Sequence, residues 1–262
     1  MSTWILLRGL TREVRHWGPL PSLLRDAAGV SDVLRIDLPG NGVFAQLRSP
    51  ADVARTVGFV RLAALQSGAP APYRLFAMSL GGMVATAWAQ QYPREIERLV
   101  LINTSMRPFS RVTERLRPRA WPTLLNVALH WREAYAAEEA IHRLTCNRRD
   151  TWVRDLADWT AIREHAPVTR LNALSQLWAA ARFSAAASPP RCPTLVLSSD
   201  ADQLVNPVCS AKLATGWDAS HVRHPWAGHD LPHDDPEWVV RAVTSWLKES
   251  AGEVGAVSGN QQ

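Results

Sequence analysis

The chain contains no apolar run approaching the roughly 18 residues needed to cross a bilayer, which argues against a transmembrane helix. Its opening "MSTWILLRGL" lacks a basic start, and the apolar part is too short for a signal peptide, so the expected compartment is the cytoplasm. Cysteine is scarce. Cys146, Cys192 and Cys209 are odd in number, scattered, and without metal-ligand spacing, the pattern of reduced thiols used in packing rather than a disulfide or metal framework. No block of five or more basic residues occurs, so the net charge of +5 gives no footprint for nucleic acid. No internal repeat is visible.

What is present is a chain of 262 residues with 47% apolar and 20% charged residues, enough for one α/β domain with an insertion. Short apolar runs alternate with helical patterns: Trp4–Leu7, Val33–Ile36, Tyr73–Met78, Leu99–Ile102, Thr194–Leu197 and His221–His224 read as strands. That alternation predicts a mostly parallel, doubly wound sheet covered on both faces. Ser49-Pro50-Ala51-Asp52 reads as a helix start with Ser49 as the capping hydroxyl, and Gly68 as its end. Asp235-Pro236-Glu237 opens the last helix in the same way, with Val239, Val240, Val243, Trp246 and Leu247 on one face.

The alternation breaks between residues 107 and 187, which read as helices interrupted by Pro108, Pro118, Pro122 and Pro167. We expect a helical lid there, inserted into a core of residues 1–106 and 188–250, with 251–262 a polar, Gly-containing disordered tail. The lid segment carries five of the twelve tryptophans, first of all as core. It also holds the basic excess, including Arg111, Arg115, Arg117, Arg119, Arg148 and Arg149. Those arginines are either a solvated face or a landing patch for an acidic partner such as an acyl carrier protein or acyl-CoA.

One strand stops on a serine among small residues, in "LFAMSLGG", and runs straight into a helical pattern. A serine hydroxyl becomes a nucleophile only when a base takes its proton and a third group orients the base. Later strand ends supply both kinds of group. Asp200 and Asp202 follow Thr194–Leu197 in "SSDADQLVNP", where open α/β sheets place their sites. In "HPWAGHDLPHDDPEW", His229 lies beyond the last strand and is the best-placed base. His221 and His224 fall within that strand, and His233 comes close to the next helix. His16, His130, His142 and His165 lie off these loops and read as surface or packing residues.

Together these residues resemble an α/β-hydrolase fold enzyme over nearly the whole chain. Ala77-Met78-Ser79-Leu80-Gly81 is similar to the G-x-S-x-G nucleophile elbow, with Ala for the first Gly, and Asp37-Leu38-Pro39-Gly40-Asn41-Gly42 to the family's D-x-P-G-x-G loop. The resemblance implies a triad of Ser79, Asp202 and His229, with Asp200 the alternative acid. It implies an oxyanion hole from the backbone N–H groups of Leu10 and Leu80. Where the family has His-Gly, this chain has Arg8-Gly9. Arg8 then either buttresses the loop through carbonyls or faces the pocket to meet a substrate carboxylate, and Met78 also borders that region.

The activity so implied is hydrolysis of a carboxylic ester of a small or medium acyl group, through an acyl-enzyme and without metal or organic cofactor. A thioesterase or acyl-carrier-protein methyl ester esterase is the alternative. C–C bond hydrolysis, perhydrolysis, or a hydrolase-fold binding protein without catalysis are further readings.

Overall fold

A computed structural model of the chain describes residues 2–28 and 32–258. Six parallel strands form one sheet: β1 (Trp4–Leu7), β2 (Val33–Ile36), β3 (Tyr73–Met78), β4 (Ile96–Ile102), β5 (Thr194–Ser199) and β6 (Ser220–His224). Their order is β2-β1-β3-β4-β5-β6. The order reverses between β1 and β3, so their carboxyl ends part and leave a crevice, the place where such sheets bind ligands.

Side chains alternate across the sheet, which accounts for its two apolar layers. Ile5, Leu7, Leu75, Ala77, Leu99 and Leu101 face one side. There they meet Val57 and Val60 of α2 (Val53–Gln66) and Val84 and Trp88 of α3 (Leu80–Gln91). Trp4, Leu6, Phe76, Met78, Val100, Ile102, Leu195 and Leu197 face the other. Their partners are Leu20 and Leu24 of α1 (Leu20–Ala28) and Val239, Val243 and Trp246 of α11 (Pro236–Ser258). Each such fully buried side chain contributes about 1.5–3 kcal/mol.

Between β4 and β5 lie five helices: α4 (Val112–Arg115), α5 (Trp121–Leu129), α6 (Ala134–Thr145), α7 (Trp152–His165) and α8 (Arg170–Arg182). Then α9 (Val208–Trp217) joins β5 to β6, and the short α10 (Leu231–Asp234) precedes α11. Polar bonds bolt the helical insertion to the core. Gln176 of α8 donates to Asn41 Oδ1 at 2.8 Å and to Ser49 Oγ at 3.0 Å, and accepts from the Thr11 amide at 2.9 Å. Within the insertion, Arg115 of α4 is buried and donates to the carbonyls of Ala180 and Ala181 of α8. Among the described residues no helix is long and apolar enough to cross a membrane.

Two local expectations need correction. The cap of α2 is Asp52, whose carboxylate accepts from the amides of Ala54 and Arg55. Ser49 is instead buried and donates to the Pro39 carbonyl at 2.6 Å, serving the junction with the insertion. The segment 251–262 is not wholly tail: α11 continues to Ser258, since a formed helix gains a bond for each residue added. Residues 259–262 lie outside the described residues.

Candidate active site

The serine stands where the strand order reverses. Ser79 follows β3 directly, its amide donates to the Ile102 carbonyl at 3.0 Å, and α3 begins at the next residue. Its backbone lies at φ 54°, ψ −119°, a left-handed conformation that costs a non-glycine residue about 1–3 kcal/mol. Thr104 donates its hydroxyl to the Ser79 carbonyl at 2.8 Å and helps hold the turn. The small residues have a packing reason. A Cβ on Gly81 would come within 2.4 Å of the Leu7 carbonyl oxygen, so α3 can press on the end of β1 only with glycine there. Ala77 is fully buried inside β3, where a methyl group fits.

His229 and Asp202 meet across two loops. Asp202 Oδ2 lies 2.7 Å from His229 Nδ1, and its Oδ1 accepts the amides of Leu204 and Val205 at 2.8 and 2.9 Å. Both side chains are buried. Asp200 points elsewhere, pairing with Arg223 at 2.9 Å. His224 accepts the Ala227 amide at 2.9 Å and shapes the turn before His229. His221 bonds Ser198, and His233 bonds Asp155.

The second ring nitrogen of His229, Nε2, is buried and has no hydrogen-bond partner. It is not bonded to Ser79, but both residues line the same cavity of about 240 Å³. Nucleophile–base hydrogen bonds commonly tighten only when substrate arrives. Among the described residues, the amides of Leu10 and Leu80 donate to no protein acceptor; Leu80 is the first residue of α3, where amides lack intrahelical partners. Gly9 lets β1 approach closely: a Cβ there would sit 3.1 Å from Ser79 Cβ.

Arg8 is buried and forks onto Asp230, at 3.0 Å through Nη1 and 2.5 Å through Nη2, while its guanidinium lies over the Trp17 ring. Burial alone would raise the Asp230 carboxyl, but the charge and hydrogen bonds of Arg8 hold it below the ordinary value. Arg8 thus buttresses the loop next to His229 through a carboxylate rather than through carbonyls, and it still borders the cavity, as does Met78. Most of the remaining wall is apolar and comes from the insertion, including Leu124, Val127, Trp131, Leu144 and Leu174. Trp131 is the one insertion tryptophan in that wall.

Several supports were not evident from the sequence. Asn103, just beyond β4, is buried; it donates to the His229 carbonyl at 2.8 Å and to Ser199 Oγ at 3.0 Å, and accepts the Ser199 amide at 2.9 Å. It therefore joins the histidine loop to the end of β5. Asp234 accepts the amides of Gly228, Asn147 and Arg148, joining the same loop to the insertion. The only sequence signal for Asn103 is its place after a strand at the carboxyl edge.

Comparison with known proteins gives the setting. A model of the alpha/beta hydrolase family matches residues 4–242. RutD of Klebsiella pneumoniae, assigned as a carbamate hydrolase, is 33% identical over 180 residues, 63% of this chain and 62% of that protein. The biotin biosynthesis bifunctional protein BioHC of Cellvibrio japonicus is 26% identical over 259 residues, 95% of this chain and 48% of that one. The chain thus spans less than two thirds of the length of these two relatives. The enol-lactonase of Burkholderia xenovorans superposes with a TM-score of 0.76 at 22% identity, covering 95% of this chain and 92% of that one.

Proposed function

The chain belongs to the alpha/beta hydrolase family, and within it we propose a serine hydrolase that cleaves a carboxylic ester of a small or medium acyl group. The observation that carries this reading is the Asp202–His229 pair, 2.7 Å long, with Nε2 of the ring unpartnered and His229 lining the same cavity as Ser79.

In this mechanism Ser79 Oγ attacks the acyl carbon while His229 Nε2 takes its proton. Asp202 fixes the imidazole with its proton on Nδ1 and stabilises the imidazolium. The oxyanion receives the amides of Leu10 and Leu80, each worth roughly 10²–10³ in kcat. His229 then protonates the departing alcohol, and water repeats the sequence on the acyl-enzyme. The α4–α8 insertion acts as the lid, its leucines and Trp131 gripping the acyl chain and keeping bulk water out.

The test is a panel of nitrophenyl esters of graded acyl length on wild type and Ser79→Ala. Turnover lost in the variant supports the reading; turnover retained in full rejects Ser79 as nucleophile.

A second reading is a thioesterase or carrier-protein esterase. It draws on the exposed Arg111, Arg119 and Arg149 of the insertion, which could steer an acidic carrier or acyl-CoA. Turnover of a carrier-bound ester that falls steeply with added salt would favour this reading, and a rate indifferent to salt would remove it.

A further inference from the structure

Behind one wall of the cavity is a buried cluster that takes no part in the reaction above. It combines His142 in the last turn of α6, Cys146 just after that helix, and His233 in α10. One ligand atom from each lies within 4.8 Å of the other two. His142 and Cys146 are fully buried, and His233 is partly so.

Asp155 of α7 fixes both imidazoles. Its Oδ2 lies 3.3 Å from His142 Nε2 and 2.9 Å from His233 Nε2, and accepts the Thr151 hydroxyl at 2.5 Å. A carboxylate oxygen accepts, so an imidazole that donates to Asp155 through Nε2 keeps a lone pair on Nδ1. His142 Nδ1 is buried with no partner at all, although nearly all buried polar atoms find one.

We propose that His142, Cys146 and His233 form a site for a thiophilic divalent cation of the zinc type, with Asp155 orienting both histidines from behind. Two imidazole nitrogens and a thiolate are the donor set such a cation selects, and a carboxylate behind a ligating histidine is the usual outer support. On binding, the Cys146 thiol releases its proton to solvent, and three lone pairs go to the cation with no change of oxidation state. The fourth position is left for water.

The consequence is mechanical. Thr145, next to Cys146, accepts the Asp230 amide through its carbonyl at 2.8 Å. A cation here would tie the end of α6 to α10, close behind the loop that carries His229. Sequence spacing could not disclose it, because the third donor lies in α10, far along the chain from the other two.

The test is titration of the untagged, chelator-treated full chain with Co²⁺. The expected result is one ion per chain, tetrahedral visible bands and a thiolate charge-transfer band. These should vanish in Cys146→Ser and persist in Cys192→Ser. Zn²⁺ should displace Co²⁺ and raise the melting temperature of wild type. Should Cys146→Ser fail to fold, Asp155→Asn and His233→Gln, checked by circular dichroism, should bind about 10- to 100-fold more weakly. Absence of stoichiometric binding, or bands unaltered when these residues change, would overturn the proposal.

Discussion

Arg117 Nη1 donates to the backbone carbonyl of Asp202 at 2.6 Å, while the Asp202 carboxylate reaches His229 at 2.7 Å on its other side. The Arg117 amide also donates to the Leu204 carbonyl at 2.9 Å. The helical insertion is therefore tied to the very loop that carries the candidate acid.

Arg117→Ala removes a hydrogen bond from a charged donor and leaves the Asp202 carbonyl with Arg119 at 3.4 Å. We expect a loss of about 1–3 kcal/mol in stability and about tenfold in kcat as the acid loop loosens. Thermal denaturation and steady-state kinetics on one ester check both.

The two neighbouring aspartates should behave differently. Asp202→Asn disturbs the imidazole tautomer and should lower kcat about 10⁴-fold. Asp200→Asn removes only a largely exposed pair with Arg223, worth at most about 1 kcal/mol, and should leave kcat nearly unchanged. Parallel kinetics of the two variants measure the contrast.

In the proposed reaction, the cavity wall would set acyl length. Val127 is 4% exposed and lines the cavity from α5. Val127→Phe should fill part of the space and shift the preference toward shorter acyl groups, with kcat/KM for the longest substrates falling about 10- to 200-fold. The graded ester panel reads this directly.

Asp37 gives a pH dependence of stability. Burial pushes its carboxyl up to about 6, although it accepts amides from Val14 and Val43. In the unfolded chain it titrates near the usual 3.9 or so. Between those values the folded state holds more protons, so this group's contribution falls as pH rises from about 4 to about 6. The total is on the order of 2–3 kcal/mol. The stability of wild type relative to Asp37→Asn, from urea denaturation at several pH values, should decline across that window and level off above it.

The strands were legible because each is a short apolar run bounded by turn residues, and the alternating pattern fixes a parallel sheet. Ser79, Asp202 and His229 were legible as candidates because a serine, an acid and a histidine follow the ends of β3, β5 and β6 in that order. What was hidden depends on contacts across long chain separations. Asn103 acts through the His229 carbonyl, Gln176 through Asn41 and Ser49, and Arg8 through Asp230. None of these pairs leaves a local pattern. Ser49 misled because a hydroxyl ahead of proline is a good helix cap, yet the insertion claims it first. The basic excess misled in part as well, since Arg115 and Arg117 turn to backbone carbonyls rather than to a partner.

The central claim is that Ser79 is made reactive by His229. Incubation of folded protein with a fluorophosphonate, followed by peptide mass spectrometry, tests it most directly. One adduct is expected, on Ser79, strongly reduced in His229→Gln. An unmodified Ser79 in folded protein, or an adduct on another residue, would contradict it.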